Sequence, residues 1–117
     1  MEREKAEALL DKVERHLQQK DGKILPASQR AVLYSCLCNS NPPYKKMPDT
    51  LQNSGYARYK WKTLKNDGYE VFKRLSNALG EEIKKQNCPR KLVDWYSQLQ
   101  AESRSSNVAN SRIYSSP

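Results

Sequence analysis

At 117 residues and a net charge of +8, the chain can build one modest domain and no more. Only 37% of its residues are hydrophobic and its mean hydropathy is −0.96, so much of it must face water or a polar partner. No apolar run approaches the ~20 residues of a membrane span, and three cysteines do not suit a secreted disulfide scaffold, so an intracellular setting, nuclear or cytoplasmic, is expected.

Residues 2–19 read as an amphipathic helix. Ala6, Leu9, Leu10, Val13 and Leu17 recur at three- and four-residue spacing, and Asp21-Gly22 supplies the stop. Pro26 suits the first turn of a second helix, placed at about 26–39, with Ala31, Val32, Leu33, Cys36 and Leu37 as its buried side. The run Asn39-Ser40-Asn41-Pro42-Pro43 breaks it. Residues 40–55 read as a polar loop in which Asp49 caps a short turn around Leu51.

Residues 55–66 carry two patterns at once. Arg58 to Thr63 alternates like an edge strand, whereas Ala57, Trp61 and Leu64 share one helical face beside a stripe of Arg58, Lys62 and Lys65. A lone strand leaves its ladder bonds unmade, so the pattern predicts a third helix. Asn66-Asp67-Gly68 then reads as a break. Asp67 would cap a fourth helix reaching about Gln86, its apolar stripe made by Tyr69, Phe72, Leu75, Leu79 and Ile83. A fifth helix, at about 89–101, carries Leu92, Val93, Trp95, Tyr96 and Leu99. Residues 103–117 hold six serines and few large apolar groups, too little to offset ordering entropy. The expected fold is therefore all-α: an irregular bundle of four or five helices over residues 1–102, followed by a disordered serine-rich C-terminal tail.

The charge is unevenly placed. Residues 1–20, 66–86 and 87–102 each balance to zero. Between residues 40 and 65, Lys45, Lys46, Arg58, Lys60, Lys62 and Lys65 face only Asp49, a net of +5. Cations at repeat spacing on one helix face suit phosphates. The expected nucleic-acid-binding residues are Lys45, Lys46, Arg58, Tyr59, Lys62 and Lys65, with Tyr59 as the stacking aromatic and Trp61 in the core. The four residues Trp61-Lys62-Thr63-Leu64 resemble the third helix of Myb-like domains, without the earlier spaced tryptophans of that family. A match of that length implies neither fold nor function.

Two other groups define what else the chain offers. Cys36 and Cys38 point to nearly opposite sides of a helix and, with His16 and Cys88, match no usual zinc spacing, so buried structural thiols and no metal are expected. His16 lies beside the first apolar stripe and reads as structural. No nucleophile–base pair, phosphate loop or carboxylate cluster with a metal pattern occurs, so neither catalysis nor a cofactor is expected. Trp95, Tyr96 and Leu99 form an aromatic–aliphatic patch that either completes the core or receives a helix or peptide of a protein partner. The expected partner is DNA or RNA, and the alternative is an acidic or helical protein.

Overall fold

The computed structural model describes the backbone of residues 1–115 and the side chains of residues 1–102. The tail expected to be disordered, from Ser103 onward, lies outside the fully described residues. Five α-helices build the fold, with no strand among the described residues. They are α1 (Arg3–Asp21), α2 (Ala27–Cys38), α3 (Met47–Asn53), α4 (Trp61–Leu79) and α5 (Cys88–Ser115), and a 3-10 turn at Tyr44–Lys46 leads into α3.

The apolar stripe of α1 is buried as its spacing requires, from Ala6 to Leu17. Gly22 closes the helix at φ 71°, its N–H donating to the Gln18 carbonyl at 2.8 Å. The second helix is central. Every residue from Ala31 to Leu37 is buried, because α1, α3, α4 and α5 all pack around it. Such a helix is apolar on all sides rather than amphipathic.

Ion pairs tie the outer helices to this centre. Arg30 on α2 reaches Glu7 at 2.7 Å, Asp11 at 3.0 Å and Glu14 at 3.0 Å, three carboxylates on successive turns of α1. Partial burial works against the guanidinium charge, but the bonds to Glu7 and Asp11 win and raise its affinity for its proton. Arg74 on α4 holds Asp21 at the end of α1, at 2.7 Å from Nε and 2.8 Å from a terminal nitrogen.

The middle of the chain departs from the sequence expectation. The segment expected as a loop contains α3, whose Met47 and Leu51 are fully buried. The expected third and fourth helices are one helix, α4, which begins at Trp61 rather than near residue 55 and runs through Asn66-Asp67-Gly68 without a break. Its buried stripe is Leu64, Gly68, Val71, Phe72 and Leu75, so Gly68 belongs to the core face. Tyr69, expected in that stripe, is 70% exposed. The helix stops at Gly80, in the left-handed region at φ 70°, and not near Gln86. Beyond it Ser76 Oγ accepts the Ile83 N–H at 2.8 Å, which turns Ile83 back into the core. Asn87 Oδ1 then accepts the Lys84 N–H at 2.7 Å and leads into α5.

Candidate nucleic-acid interface

Residues 54–60 link α3 to α4. Gly55 turns the chain at φ 87°, and the Tyr56 N–H donates to the Leu51 carbonyl at 2.9 Å. The Tyr56 hydroxyl donates to Glu7 at 2.9 Å and its ring lies 4.9 Å from that of Tyr34. Lys60 is extended and its carbonyl accepts the Leu64 N–H, so helical geometry starts at Trp61. This start decides which aromatic faces inward. Tyr59, in the extended link, packs against the core, whereas Trp61, in the first turn, is half-buried and stands away from it. Trp61, expected in the core, stands outside it, and Tyr59 packs against the core while also lining the surface groove.

Trp61 is the centre of a cationic surface. Lys45 Nζ sits 5.3 Å from its ring centroid and Lys62 Nζ 5.8 Å, one from the 3-10 turn and one from α4. Such contacts contribute about 0.5–1 kcal/mol each at exposed sites. A groove of 490 Å³ runs beside the ring, lined by Pro48, Arg58, Tyr59, Lys60, Trp61 and Lys62, with no carboxylate among them. Among the described residues, none of Lys45, Lys46, Arg58, Lys60, Lys62 and Lys65 forms an ion pair. That separates them from Arg30 and Arg74, which are occupied by carboxylates.

Helix polarity adds to this. The first turn of α4 carries no acidic residue and Lys60 provides no side-chain cap, so the leading N–H groups are free. Lysines at a helix N-terminus oppose the macrodipole by roughly 0.3–1 kcal/mol each. The arrangement is unfavourable for the isolated helix and favourable once an anion sits there, where N–H groups and ammonium groups act together.

The other site residues are dispersed around this centre. Lys46 is exposed at the end of the 3-10 turn, its carbonyl accepting the Thr50 hydroxyl at 3.3 Å. Lys65 points into a neighbouring groove of 580 Å³ that also includes Tyr44, Tyr69, Phe72, Lys73, Lys84 and Lys85. Lys60 and Trp61 belong to the surface although sequence reasoning left them out. A tryptophan with lysine on both sides was the available signal, and a misplaced helix start concealed it.

Of the residues expected to receive a protein partner, Trp95 and Tyr96 stay together, ring centroids 6.5 Å apart, and both pack against the core. Trp95 also meets His16 in a tilted contact, ring centroids 5.0 Å apart, while His16 Nε2 lies 3.5 Å from the Ala78 carbonyl oxygen. Tyr96 lines a cleft of 290 Å³ with Lys5, Leu9, Lys12 and Val93, and Leu99 is 40% exposed beyond it. Cys36 and Cys88 are buried in the core, where burial pushes the Cys36 thiol up to about 12 and Cys88 up as well. No helix among the described residues is long and apolar enough to cross a membrane.

Comparison with known proteins places the fold without adding a solved template, since neither curated proteins nor solved structures gave a match. Residues 4–94, spanning α1 through the start of α5, match the family described as the vWA-MoxR associated protein N-terminal HTH, and the chain belongs to that family of helix-turn-helix domains.

Proposed function

We propose that the domain binds nucleic acid, duplex DNA in the first instance, through the N-terminal half of α4. In this reading α3, the turn at Gly55 and α4 form the helix-turn-helix pair, with a link longer than the tightest turns of that motif. The second helix of such a pair enters the major groove by its N-terminal residues. On α4 those residues include the exposed Lys62, Lys65, Asn66 and Tyr69. Lys45 and Lys46 from the 3-10 turn and Arg58 from the link stand beside them for phosphate contact. The observation that carries the reading is the set of unpaired cations around Trp61 at the uncapped start of α4. The role is binding, with no catalytic step.

The test is a titration of labelled duplex DNA at several salt concentrations. Binding should weaken steeply with salt, with a log–log slope of about −0.9 per phosphate contacted. Lys45→Gln, Arg58→Gln and Lys62→Gln combined should lower affinity at least tenfold while circular dichroism stays unchanged. Undiminished binding by that folded variant rejects the assignment.

A second reading rests on the cleft beside Tyr96. Its apolar floor and the flanking Lys5 and Lys12 suit a partner helix carrying acidic residues. It expects a stoichiometric partner that survives nuclease treatment and is lost on Tyr96→Ala. A partner indifferent to that change removes this reading.

A further inference from the structure

We infer that the groove between α4 and the segment from Gly80 to Asn87 holds a second stretch of sugar-phosphate backbone, so that Lys65, Tyr69, Lys73, Lys84 and Lys85 extend the contact well beyond the basic segment of the sequence. The inference rests on the nucleic-acid reading above, shares Lys65 and Tyr69 with it, and adds Lys73, Lys84 and Lys85, which that reading does not contain.

In the sequence this region looks neutral, because residues 66–86 carry as many acids as bases. Folding undoes the balance. Asp67 is half-buried, Glu70 lies outside this groove in a neighbouring pocket that Lys73 and Arg74 also line, and Glu81 is taken by Lys91 at 3.4 Å. The one carboxylate in the groove, Glu82, is paired with Lys84 at 3.2 Å, an exposed contact that a phosphate can replace. Lys65, Lys73 and Lys85 have no acidic partner among the described residues. Lys85 Nζ rests 4.5 Å above the Tyr44 ring, and Tyr69 holds its hydroxyl free at the rim. Ammonium groups and a tyrosine hydroxyl are donors to phosphate oxygens and carry no base preference.

Continuity decides between a nucleic acid and an acidic protein. Tyr44 and Lys45 are consecutive, one facing this groove and the other resting on Trp61. Lys62 and Lys65 lie one helical turn apart on α4 and divide in the same way. The two grooves have no lining residue in common but meet at neighbouring positions of the 3-10 turn and of α4, so cations succeed one another from Arg58 to Lys85. An evenly charged polyanion fills such a track along its length, whereas an acidic peptide needs only one of the grooves.

The experiment uses the full chain and a labelled mixed-sequence DNA duplex, with affinity read across a salt series. Lys84→Gln with Lys85→Gln should reduce the salt slope by about 1–2 and weaken binding several-fold at moderate salt. Lys5→Gln with Lys12→Gln removes equal charge in the α1–α5 cleft and should change the slope much less. Should the first pair fail to fold, Lys73→Gln alone is read instead, with a slope change of about 0.9 expected. An unchanged slope, or an equal loss in the cleft variant, overturns the inference while leaving the Trp61 surface in place. Absence of duplex binding by the unaltered chain removes the parent reading, and this one with it. Poly-L-glutamate captured through Lys84 and Lys85, with duplex affinity untouched by their loss, assigns the groove to an acidic protein and also overturns it.

Discussion

Tyr44 lies against the backbone of α4 at Gly68, where a single added Cβ would collide with its ring and hydroxyl. The contact joins the 3-10 turn to the middle of the helix that follows. Lys45, the next residue, lies over Trp61.

Gly68→Ala is therefore expected to destabilise the domain. Alanine favours a helix interior by about 1 kcal/mol over glycine, which on its own would stabilise. Overpacking costs about 1–3 kcal/mol and should exceed that gain, because the half-buried Tyr44 ring packs against the core and carries Lys85 on its face, and both contacts are disturbed if it moves. Urea denaturation measures the balance, and combining the change with Tyr44→Ala should relieve part of the loss. A more stable Gly68→Ala variant would show that the ring moves freely.

This contact also explains what the sequence concealed. Gly68 read as part of a helix break, and Gly80 fell inside the expected fourth helix. The fold uses them the other way round, Gly68 for close packing and Gly80 as a left-handed cap. Composition and spacing do not separate these uses, since both depend on which residue lies opposite. The first two helices were legible because their apolar residues fall on a pattern that local geometry alone satisfies. The concentration of cations before residue 66 was legible too, as a count. The outward position of Trp61 was not, because it follows from a helix start displaced by six residues. Nor were Lys84 and Lys85, whose acidic neighbours in sequence turn elsewhere in space.

The clamp at Arg30 makes a separate expectation. Removing the guanidinium leaves Glu7, Asp11 and Glu14 on one face of α1 without their shared partner. Exposed pairs contribute under about 1 kcal/mol and breaking a buried pair costs about 3–5. Arg30 is partly covered and its carboxylates are more open, so Arg30→Met should cost about 2 kcal/mol, mostly through repulsion among the acids. Glu7→Gln in that background should recover part of the loss. Additivity of the two changes in a denaturation cycle would contradict a shared clamp.

Acid should remove the contribution of Asp21. Hydrogen bonds from Arg74, then the Lys23 N–H, hold its carboxyl below the ordinary aspartate value. The folded state therefore binds this proton less readily than the unfolded state. Its contribution is complete above the unfolded value of about 3.9 and disappears as pH falls through the lower folded value. Asp21→Asn should lower stability at neutral pH and flatten the dependence below about pH 4. Parallel curves for the two proteins would exclude the link.

Thiol accessibility should follow burial. Cys36 and Cys88 lie in the core with their thiols pushed upward, Cys36 to about 12, so neither should form thiolate in the folded state near neutral pH. Cys38, half-buried, should react with a water-soluble disulfide reagent before the others. The remaining two should react only as fast as the domain opens. In alkali the unfolded chain loses these protons first, above its thiol value of about 8.5, so stability should fall as pH rises beyond that point. Three thiols reacting at one fast rate in the native protein would contradict the packing.

The two tryptophans should separate stability from binding. Trp95 packs on His16 and the core, so Trp95→Ala should cost about 2–4 kcal/mol, somewhat less than a fully buried ring. Trp61 stands outside that packing, and Trp61→Ala should cost under about 1 kcal/mol, within the range of surface changes. Its loss should nevertheless weaken nucleic-acid binding several-fold, because Lys45 and Lys62 lose the face that holds their ammonium groups side by side. Trp61→Phe, which keeps a weaker aromatic face, should fall between. Denaturation and duplex titration of the same variants decide the matter. A Trp61→Ala protein that unfolds early while binding normally would place this ring in the core and remove it from the interface.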